Sequence, residues 1–338
     1  MVSFKKTVEQ SEPTLLLPNL YAVYNAGSVG VGNLAAYVHA GITAGGGTLK
    51  WDDGTVSTQG YTSGGHKASV EASSVYYGVN IGVAYASADN TVAVSAGIRT
   101  LMPKRSVKIS DALTSSGVAE GKIEYDAIGC APIIGLAVKP MKDLTIALRY
   151  EFETDLEFKY SISGNPVGRG LIILMGYKDG MKNDQNLPAM AAIGLEYKAS
   201  SELTVLFSFN KYYLSQAYNV NLGDDDFRSG WEASIGATYQ VMPELKVGAG
   251  FMYNDIGVEK DIYDLGDFFT ISTNPPLNSI SIAIGGTYVV MPGLDLTLAC
   301  SWTHYLPESY DFQKLGTIKG EYRKEVYDIA IGVGYKAF

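Results

Sequence analysis

The stretch LTIALRYEFETDLEFKYSI, from Leu144 to Ile162, decides the fold class. Its even positions are apolar except for Thr154, and its odd positions are mostly charged. Successive strand side chains point to opposite faces, so this alternation predicts one long strand with two different faces. Lipid outside a closed barrel and water inside it supply both environments. We therefore predict that the even positions up to Ile162 face lipid and that the odd positions face the lumen.

The composition excludes several classes of protein. Hydrophobic residues make up 46% of the 338 positions, yet no apolar run of 18 or more residues can form a membrane helix. The net charge of −9 argues against nucleic acid as a partner. Two cysteines, Cys130 and Cys300, make no disulfide framework, and the strand phase points both toward lipid. The opening residues lack the apolar core of a signal peptide, so an exported barrel implies numbering that starts after a leader or in a trimmed chain.

Six hairpins with tight turns alternate with longer Gly-, Ser- and Asp-rich loops. The turns fall at Asn25–Ser28, Ser87–Asn90, Pro140–Asp143, Ala199–Glu202, Met242–Glu244 and Met291–Gly293. The loops are Thr43–Ala68, Ser106–Gly121, Ser163–Leu187, Asn221–Ser229, Glu259–Ser279 and Pro307–Tyr322. A first strand at Val2–Val8 and a last one at Arg323–Phe338 bring the total to fourteen. This predicts an all-β, transmembrane, antiparallel up-and-down barrel, a single domain over residues 1–338, with short turns periplasmic and long loops extracellular.

The phase of individual strands supports a membrane barrel over a soluble one. Outward faces are predicted to be apolar with aromatic residues near their ends, as in Tyr77–Tyr85, Trp231–Val241, Leu294–Trp302 and Tyr327–Tyr335 taken at every second residue. The alternate positions hold Gly, Ser, Thr, Asn and Glu. A soluble barrel would have an apolar interior instead. We therefore expect two aromatic girdles around a lipid-facing band, and an integral outer-membrane location.

Several blocks of the chain resemble the FadL family of outer-membrane transporters for long-chain fatty acids and other hydrophobic compounds. They include LLLPNLYAVY, VGVGNLAAYVHAGI and the opening stretch, followed by NLPAMAAIGLEYKASSELTVLFSFNKYYLSQAY, GWEASIGATYQVMPELKVGAGFMYN, SISIAIGGTYVVMPGLDLTLACSWTHY and GVGYKAF. The resemblance runs from about Pro13 to the end. It implies a fourteen-stranded monomer, an N-terminal hatch in the lumen, an extracellular capture groove and a kinked third strand that opens sideways. The residues before Pro13 contain no Asn-Pro-Ala hatch element, so we do not carry the family's gating over to this sequence.

The residues offer no catalytic or metal-binding constellation. His39, His66 and His304 stand apart from any nucleophile pattern, and His304 follows the lipid phase of Trp302. No metal-ligand or nucleotide-binding spacing occurs, so no cofactor is expected. The run Asp224–Asp226 suits a solvated loop better than a cation site.

One predicted loop has unexpected chemistry. An apolar run, Leu171, Ile172, Ile173, Leu174 and Met175, precedes Tyr177 in the loop after Ile162. Such a run either folds inward as a helix that caps the barrel or forms a landing site for an acyl chain. Arg99 and Arg149 share the lumen phase and are candidates to meet a carboxylate. Gly41, Gly45, Gly46 and Gly47, in the strand that corresponds by block order to the kinked third strand, are candidates for a lateral opening; Pro132, which lacks a ladder donor, is a competing position.

Together with the FadL resemblance, these observations predict a passive, non-enzymatic outer-membrane channel, and the resemblance implies that it is a monomer. Its ligand is a hydrophobic small molecule, a fatty acid or a detergent-like compound, and its other contacts are with membrane lipid. A porin for small polar solutes is the alternative, favoured by an acidic lumen row of Glu151, Glu153, Asp155 and Glu157. A surface adhesin or a purely structural barrel is a third. The apolar loop separates the first class from the other two.

Overall fold

The computed structural model describes residues 17–52, 65–214, 228–258, 275–312 and 318–336. These residues form sixteen strands and one helix: β1 Asn19–Val29, β2 Gly32–Trp51, β3 Ser69–Ser87, β4 Val92–Thr114, β5 Gly117–Asp126, β6 Gly129–Met141, β7 Leu144–Glu151, β8 Glu157–Gly164, α1 Pro166–Leu174, β9 Lys182–Asp184, β10 Met190–Lys198, β11 Leu203–Tyr212, β12 Gly230–Met242, β13 Leu245–Asp255, β14 Ser279–Met291, β15 Leu294–Phe312 and β16 Ile318–Tyr335.

Thirteen strands form one antiparallel up-and-down wall in the order β1-β2-β3-β4-β6-β7-β10-β11-β12-β13-β14-β15-β16. All six predicted hairpins and the predicted last strand belong to this wall, which confirms the fold class, but the first turn is at Gly30–Val31 and not at Asn25–Ser28, which continue β1. The proposed first strand, Val2–Val8, lies outside the described residues. Within the described part of the chain, no helix is long and apolar enough to cross a membrane.

The ladder registers confirm the predicted alternation of faces. Ile81 pairs with Ile98 and Ile235 pairs with Phe251, and these large apolar side chains are exposed on the outside of the wall. Outward aromatic pairs recur eight residues apart on three strands: Tyr77 and Tyr85, Trp231 and Tyr239, Tyr327 and Tyr335. Eight residues of strand span roughly 26 Å. Tilted strands of this length match the ~25 Å apolar band of membrane barrels.

Most of the predicted loops that the structure describes are strand extensions. β2 continues to Trp51, β4 and β5 form a long hairpin through Thr114 and Gly117, and β15 and β16 extend past the outer aromatic residues to Phe312 and Ile318. Polar composition suggested loops here. The strands persist because antiparallel neighbours satisfy each other's backbone groups whatever their side chains.

The stretch from Leu144 to Ile162 forms two strands, β7 and β8, and not one. This corrects the face that we predicted for its second half. Between the pairs Ile133–Glu151 and Asp126–Lys159 lie six residues on one side, 127–132, and seven on the other, 152–158. Because side chains alternate with period 2, the extra residue exchanges the two faces beyond it. The even residues of β7 face outward as predicted. Leu156, Phe158, Tyr160 and Ile162 are instead buried in a protein core.

Candidate ligand conduit in the barrel lumen

A cavity of about 910 Å³ runs along the lumen side of the wall from β7 to β16. Its lumen-facing lining consists largely of small residues, among them Ala147, Gly194, Ser208, Ser234, Gly236, Gly248, Gly250, Ser281, Ala283 and Gly285. Hydroxyl pairs such as Ser208–Ser234 (2.7 Å) and Ser281–Thr303 (2.8 Å) bond to each other across adjacent strands. The small side chains leave open space, and the paired hydroxyls satisfy each other's hydrogen bonds.

A second cavity, of about 700 Å³, lies on the lumen side of β1–β7 and shares Ala147 with the first. Its lining is more polar. His39 bonds through its two ring nitrogens to Asn19 (3.0 Å) and Asn80 (3.1 Å), and its ring stacks on Tyr21. The hydrogen-bonded His39 therefore belongs to the lumen wall.

An inner segment, Phe152–Leu156, leaves the wall at Pro132. The Phe152 N–H donates to the Pro132 carbonyl at 3.1 Å, but proline has no N–H to return the bond. Arg99 supplies the missing donor: one of its guanidinium nitrogens donates to the Phe152 carbonyl at 3.2 Å and to the Thr154 hydroxyl at 2.8 Å. The side chain of Arg99 thus replaces a backbone hydrogen bond that the sequence cannot form.

Two arginines share one buried carboxylate at the same place. Arg99 and Arg149 both pair with Glu151, at opposite carboxylate oxygens. Arg99 and Glu151 are buried, whereas the Arg149 side chain is 49% exposed in the second cavity. A buried pair of this kind is retained only when its charges are compensated. The structure therefore brings the two predicted arginines together, with Arg149 alone open to the lumen and one positive charge in excess.

The acidic row proposed for a porin is divided among different partners. Glu151 is neutralised by the arginines, while Glu153 and Asp155 accept from the Asn186 amide at 2.7 and 3.1 Å. Glu157 pairs with Lys182 at 2.6 Å, and both are exposed. The face exchange in the inner segment separates these carboxylates, so they do not form one acidic row in the lumen.

Helix α1 forms a cap together with β5, β8, β9 and the end of β4. Asn165 begins the helix: its side-chain oxygen accepts from the Gly168 N–H at 2.8 Å, and its amide nitrogen donates to the Val118 carbonyl on β5 at 2.9 Å. Gly168 lies so close to β5 that a Cβ would overlap the Glu120 carbonyl. These contacts hold the helix against β5.

The structure divides the apolar run of this helix between its two sides. Ile172 is buried beneath the helix, and Tyr177 packs against the same core. Burial raises the pKa of the Tyr177 phenol. Leu171 packs on the small cluster of Ala68, Ala112 and Ala119. Ile173 and Leu174 are 55% and 84% exposed, and Met175 ends the helix. One side of the run thus packs within the cap, and the other side forms an exposed apolar edge.

The cap core contains residues that the sequence did not single out. Arg105 lies over the rings of Tyr125 and Phe158, and it donates to Gln185 at 2.6 Å. Tyr125 stacks on Tyr160, with ring centroids 4.9 Å apart. The alternation of β4 places Arg105 on the same face as Arg99, so its inward direction could have been predicted. Its aromatic neighbours could not, because Tyr125 and Phe158 come from β5 and β8.

The glycines proposed for a lateral opening lie on β2 close to two irregularities. Gly41 pairs regularly with Asn19, and a Cβ there would overlap the Asn19 side chain. The register with β3 shifts between Ile42 and Ala44 and again between Gly45 and Gly47, and Gly45 has a φ of 94°. Gly46 and Gly47 are in the same bulged stretch. β2 therefore departs from regular pairing just beyond Gly41.

The remaining candidates have local partners. His304 lies on the outer face and contacts Glu325 at 3.3 Å, and His66 bonds to Asp111 at 2.6 Å. Both cysteines are exposed, with Cys300 on the outer face of β15. Asp224–Asp226 lie outside the described residues. Across the described ranges, no group of three or more His, Cys, Asp or Glu side chains is placed to hold a metal.

Comparison with solved structures gives several barrels of the same fold. A FadL homologue of Pseudomonas aeruginosa superposes with a TM-score of 0.67 at 14% identity, covering 94% of this chain and 78% of the other. The toluene transporter TodX of P. putida gives 0.64 at 15% identity, with 98% and 87% covered. The CymD monoaromatic hydrocarbon channel gives 0.51 at 13%, with 95% and 87% covered. No curated protein matches the chain by sequence.

The antiparallel wall, its aromatic girdles and its internal cavities define a transmembrane β-barrel of the outer-membrane type. Residues 100–305 match the family described as outer membrane protein transport protein (OMPP1/FadL/TodX). The chain belongs to this family, as the sequence blocks suggested.

Proposed function

We propose that this protein is a passive, monomeric channel that takes up long-chain fatty acids or other hydrophobic small molecules. The observation that carries the proposal is the lumen cavity lined largely by small side chains, next to a cap with an exposed apolar edge. The short turns face the periplasm and the cap faces outward. In intact cells, Leu174→Cys should react with an impermeant thiol reagent and Lys142→Cys should not; the reverse pattern contradicts this orientation.

The exposed edge of α1 is the proposed capture site. Ile173 and Leu174 point away from the cap core, and apolar side chains with this exposure gain free energy by covering a ligand's acyl or aromatic surface. In the barrel below, Arg149 is the cation that meets a carboxylate, because Arg99 is already engaged with Phe152 and Thr154. A neutral ligand would use the cavity without that contact.

Replacing Ile173 and Leu174 together by Ser tests capture. If each side chain buries about one methylene's worth of ligand surface, binding weakens by roughly 1.6 kcal/mol, which is more than tenfold. Equilibrium binding of a fluorescent fatty acid to the purified protein measures this. Arg169→Ser, on the same helix and also exposed, is the control. Equal affinity of the double variant and the wild type would rule out this landing site.

The bulged part of β2 is the proposed lateral exit. A ligand leaves a barrel sideways only where a strand is diverted from its neighbour, and both register shifts of β2 occur between Ile42 and Gly47. Gly45, with a φ of 94°, adopts the left-handed backbone conformation that this path requires, and Gly46 and Gly47 follow it in the bulged stretch. Gly41 forms the lower edge of the opening.

Thr43, whose side chain lies against Gly78 and donates to the Tyr76 carbonyl at 3.2 Å, tests the exit without the overlap with β1 that any side chain at Gly41 would cause. Thr43 lines the second cavity beside the first bulge. Thr43→Trp should lower uptake of a hydrophobic ligand by cells, while Thr43→Val, of almost the same size as threonine, should not. Unchanged uptake by a folded Thr43→Trp protein would exclude this route.

A further inference from the structure

The inner segment lies inside the lumen and not in the wall. Gly129 of β6 has the lumen phase, and a Cβ at this position would overlap the Asp155 carbonyl and approach Thr154 and Leu156. Leu101, the β4 partner of Gly129, and Ala131 are buried for the same reason. The chain therefore crosses the lumen face of β6 between β7 and β8.

The inner segment is attached on both sides. Thr154 exchanges two backbone hydrogen bonds with Leu187, at 2.9 and 3.0 Å, and the Leu156 N–H donates to the Asn186 side chain at 3.0 Å. On the wall side, one backbone hydrogen bond joins Phe152 to Pro132, and the other hydrogen bonds to the segment come from the Arg99 side chain. Removing the guanidinium would leave the Phe152 carbonyl and Thr154 hydroxyl without the bonds that hold them to β4.

We propose that the inner segment is an internal constriction that keeps hydrated polar solutes out of the lumen, and that Arg99 is the positioning residue that holds it there. This goes beyond hydrophobic uptake, because it concerns what the barrel excludes. Thr154 and Leu156 are fully buried against Gly129, so the segment packs directly on the lumen face of the wall with no layer of water between them, while Asp155 is exposed. The compensating charge of Glu151 lets Arg99 remain in this buried position.

Arg99→Gln tests the proposal through ion conductance, which is independent of hydrophobic uptake. Loss of a hydrogen bond from a charged group should shift the equilibrium between the held and released positions of the inner segment by about tenfold or more. The purified variant in planar bilayers should therefore conduct KCl more than the wild type. Lys104→Gln, which removes the same charge from the exposed outer side of β4, should conduct like the wild type.

Pro132→Ala supplies a rescue that a general loss of stability would not give. Alanine restores the N–H that can bond the Phe152 carbonyl, so the double variant Pro132→Ala with Arg99→Gln should return toward wild-type conductance. A folded Arg99→Gln barrel, recognised by its heat-dependent gel mobility, with wild-type conductance would overturn the proposal.

Thr154→Val decides the question if Arg99→Gln fails to fold. It removes one acceptor of the guanidinium without changing the side-chain volume substantially, and conductance should rise by a smaller factor. Unchanged conductance of folded Thr154→Val in that case would overturn the proposal. If conductance rises while hydrophobic uptake is absent in every variant including the wild type, the constriction stands and the proposed function fails.

Discussion

Gly194→Trp is expected to abolish most passage of hydrophobic ligand through the barrel. Gly194 faces the larger cavity between Ala147 and Ser208, and a Cβ built on it has no atom nearer than the Phe207 carbonyl at 4.0 Å. The indole would therefore enter the cavity without disturbing the wall. Displacing the contacts of only two ligand methylenes costs about 1.6 kcal/mol, more than tenfold in occupancy.

The control for this variant is the neighbouring residue. Ile193→Trp places the same side chain on the lipid face, where Ile193 pairs with Leu148 and Phe209, and aromatic residues are tolerated on that face. Uptake of a radiolabelled fatty acid or toluene by expressing cells measures both variants. Equal loss in the two would indicate a folding defect, and normal uptake by Gly194→Trp would show that the ligand does not use this cavity.

The second large effect is expected from Gly168→Val. Valine at this position cannot fit against the Glu120 carbonyl, so α1 must leave β5 and Ile172 must leave the cap core. Loss of a buried side chain of this size costs roughly 2–5 kcal/mol locally. Trypsin should then cleave rapidly at Arg169 or Lys178, while the barrel keeps its heat-dependent gel mobility.

Gly170→Val is the matched control for the cap. It makes the same substitution in the same helix, with the same intrinsic helix cost, but a Cβ at Gly170 meets nothing within 4 Å. It should remain resistant to trypsin. If both variants are cleaved at equal rates, helix propensity and not docking against β5 explains the result.

The strands of the wall could be predicted well because the sequence patterns that define them are local in the chain. Turns at positions such as Pro140–Asp143 and Met291–Gly293 interrupt alternating segments, and each alternating segment has one face that excludes water. The registers of β3 with β4 and of β12 with β13 follow from these two facts alone.

The pattern failed beyond Glu151 for a physical reason. The even residues from Leu156 to Ile162 need an apolar environment, and lipid and a protein core satisfy that need equally. Alternation therefore cannot tell the outside of a barrel from the underside of a cap. The absent N–H of Pro132 was visible, but that Arg99 replaces it depends on a neighbour separated by more than fifty residues from Phe152.

Likewise, the apolar run of α1 was recognised but not its division into two sides. Ile172 and Leu174 differ in environment only because Gly168 and Asn165 fix how the helix lies on β5. Polar strand extensions such as Ser106–Thr114 were missed because hydrogen bonds to a partner, and not hydrophobic alternation, hold them in the sheet.

The length of β4 sets the height of the cap above the apolar band. Met102 pairs with the upper girdle residue Tyr77, and twelve further residues lead to Thr114. At 3.3 Å per residue and a tilt of about 40°, this extension rises roughly 30 Å above the apolar band. In the proposed orientation, this height places Ile173 and Leu174 above the apolar band of the bilayer. If they are the capture edge, as proposed, a molecule still dissolved in water meets them before it partitions into the membrane.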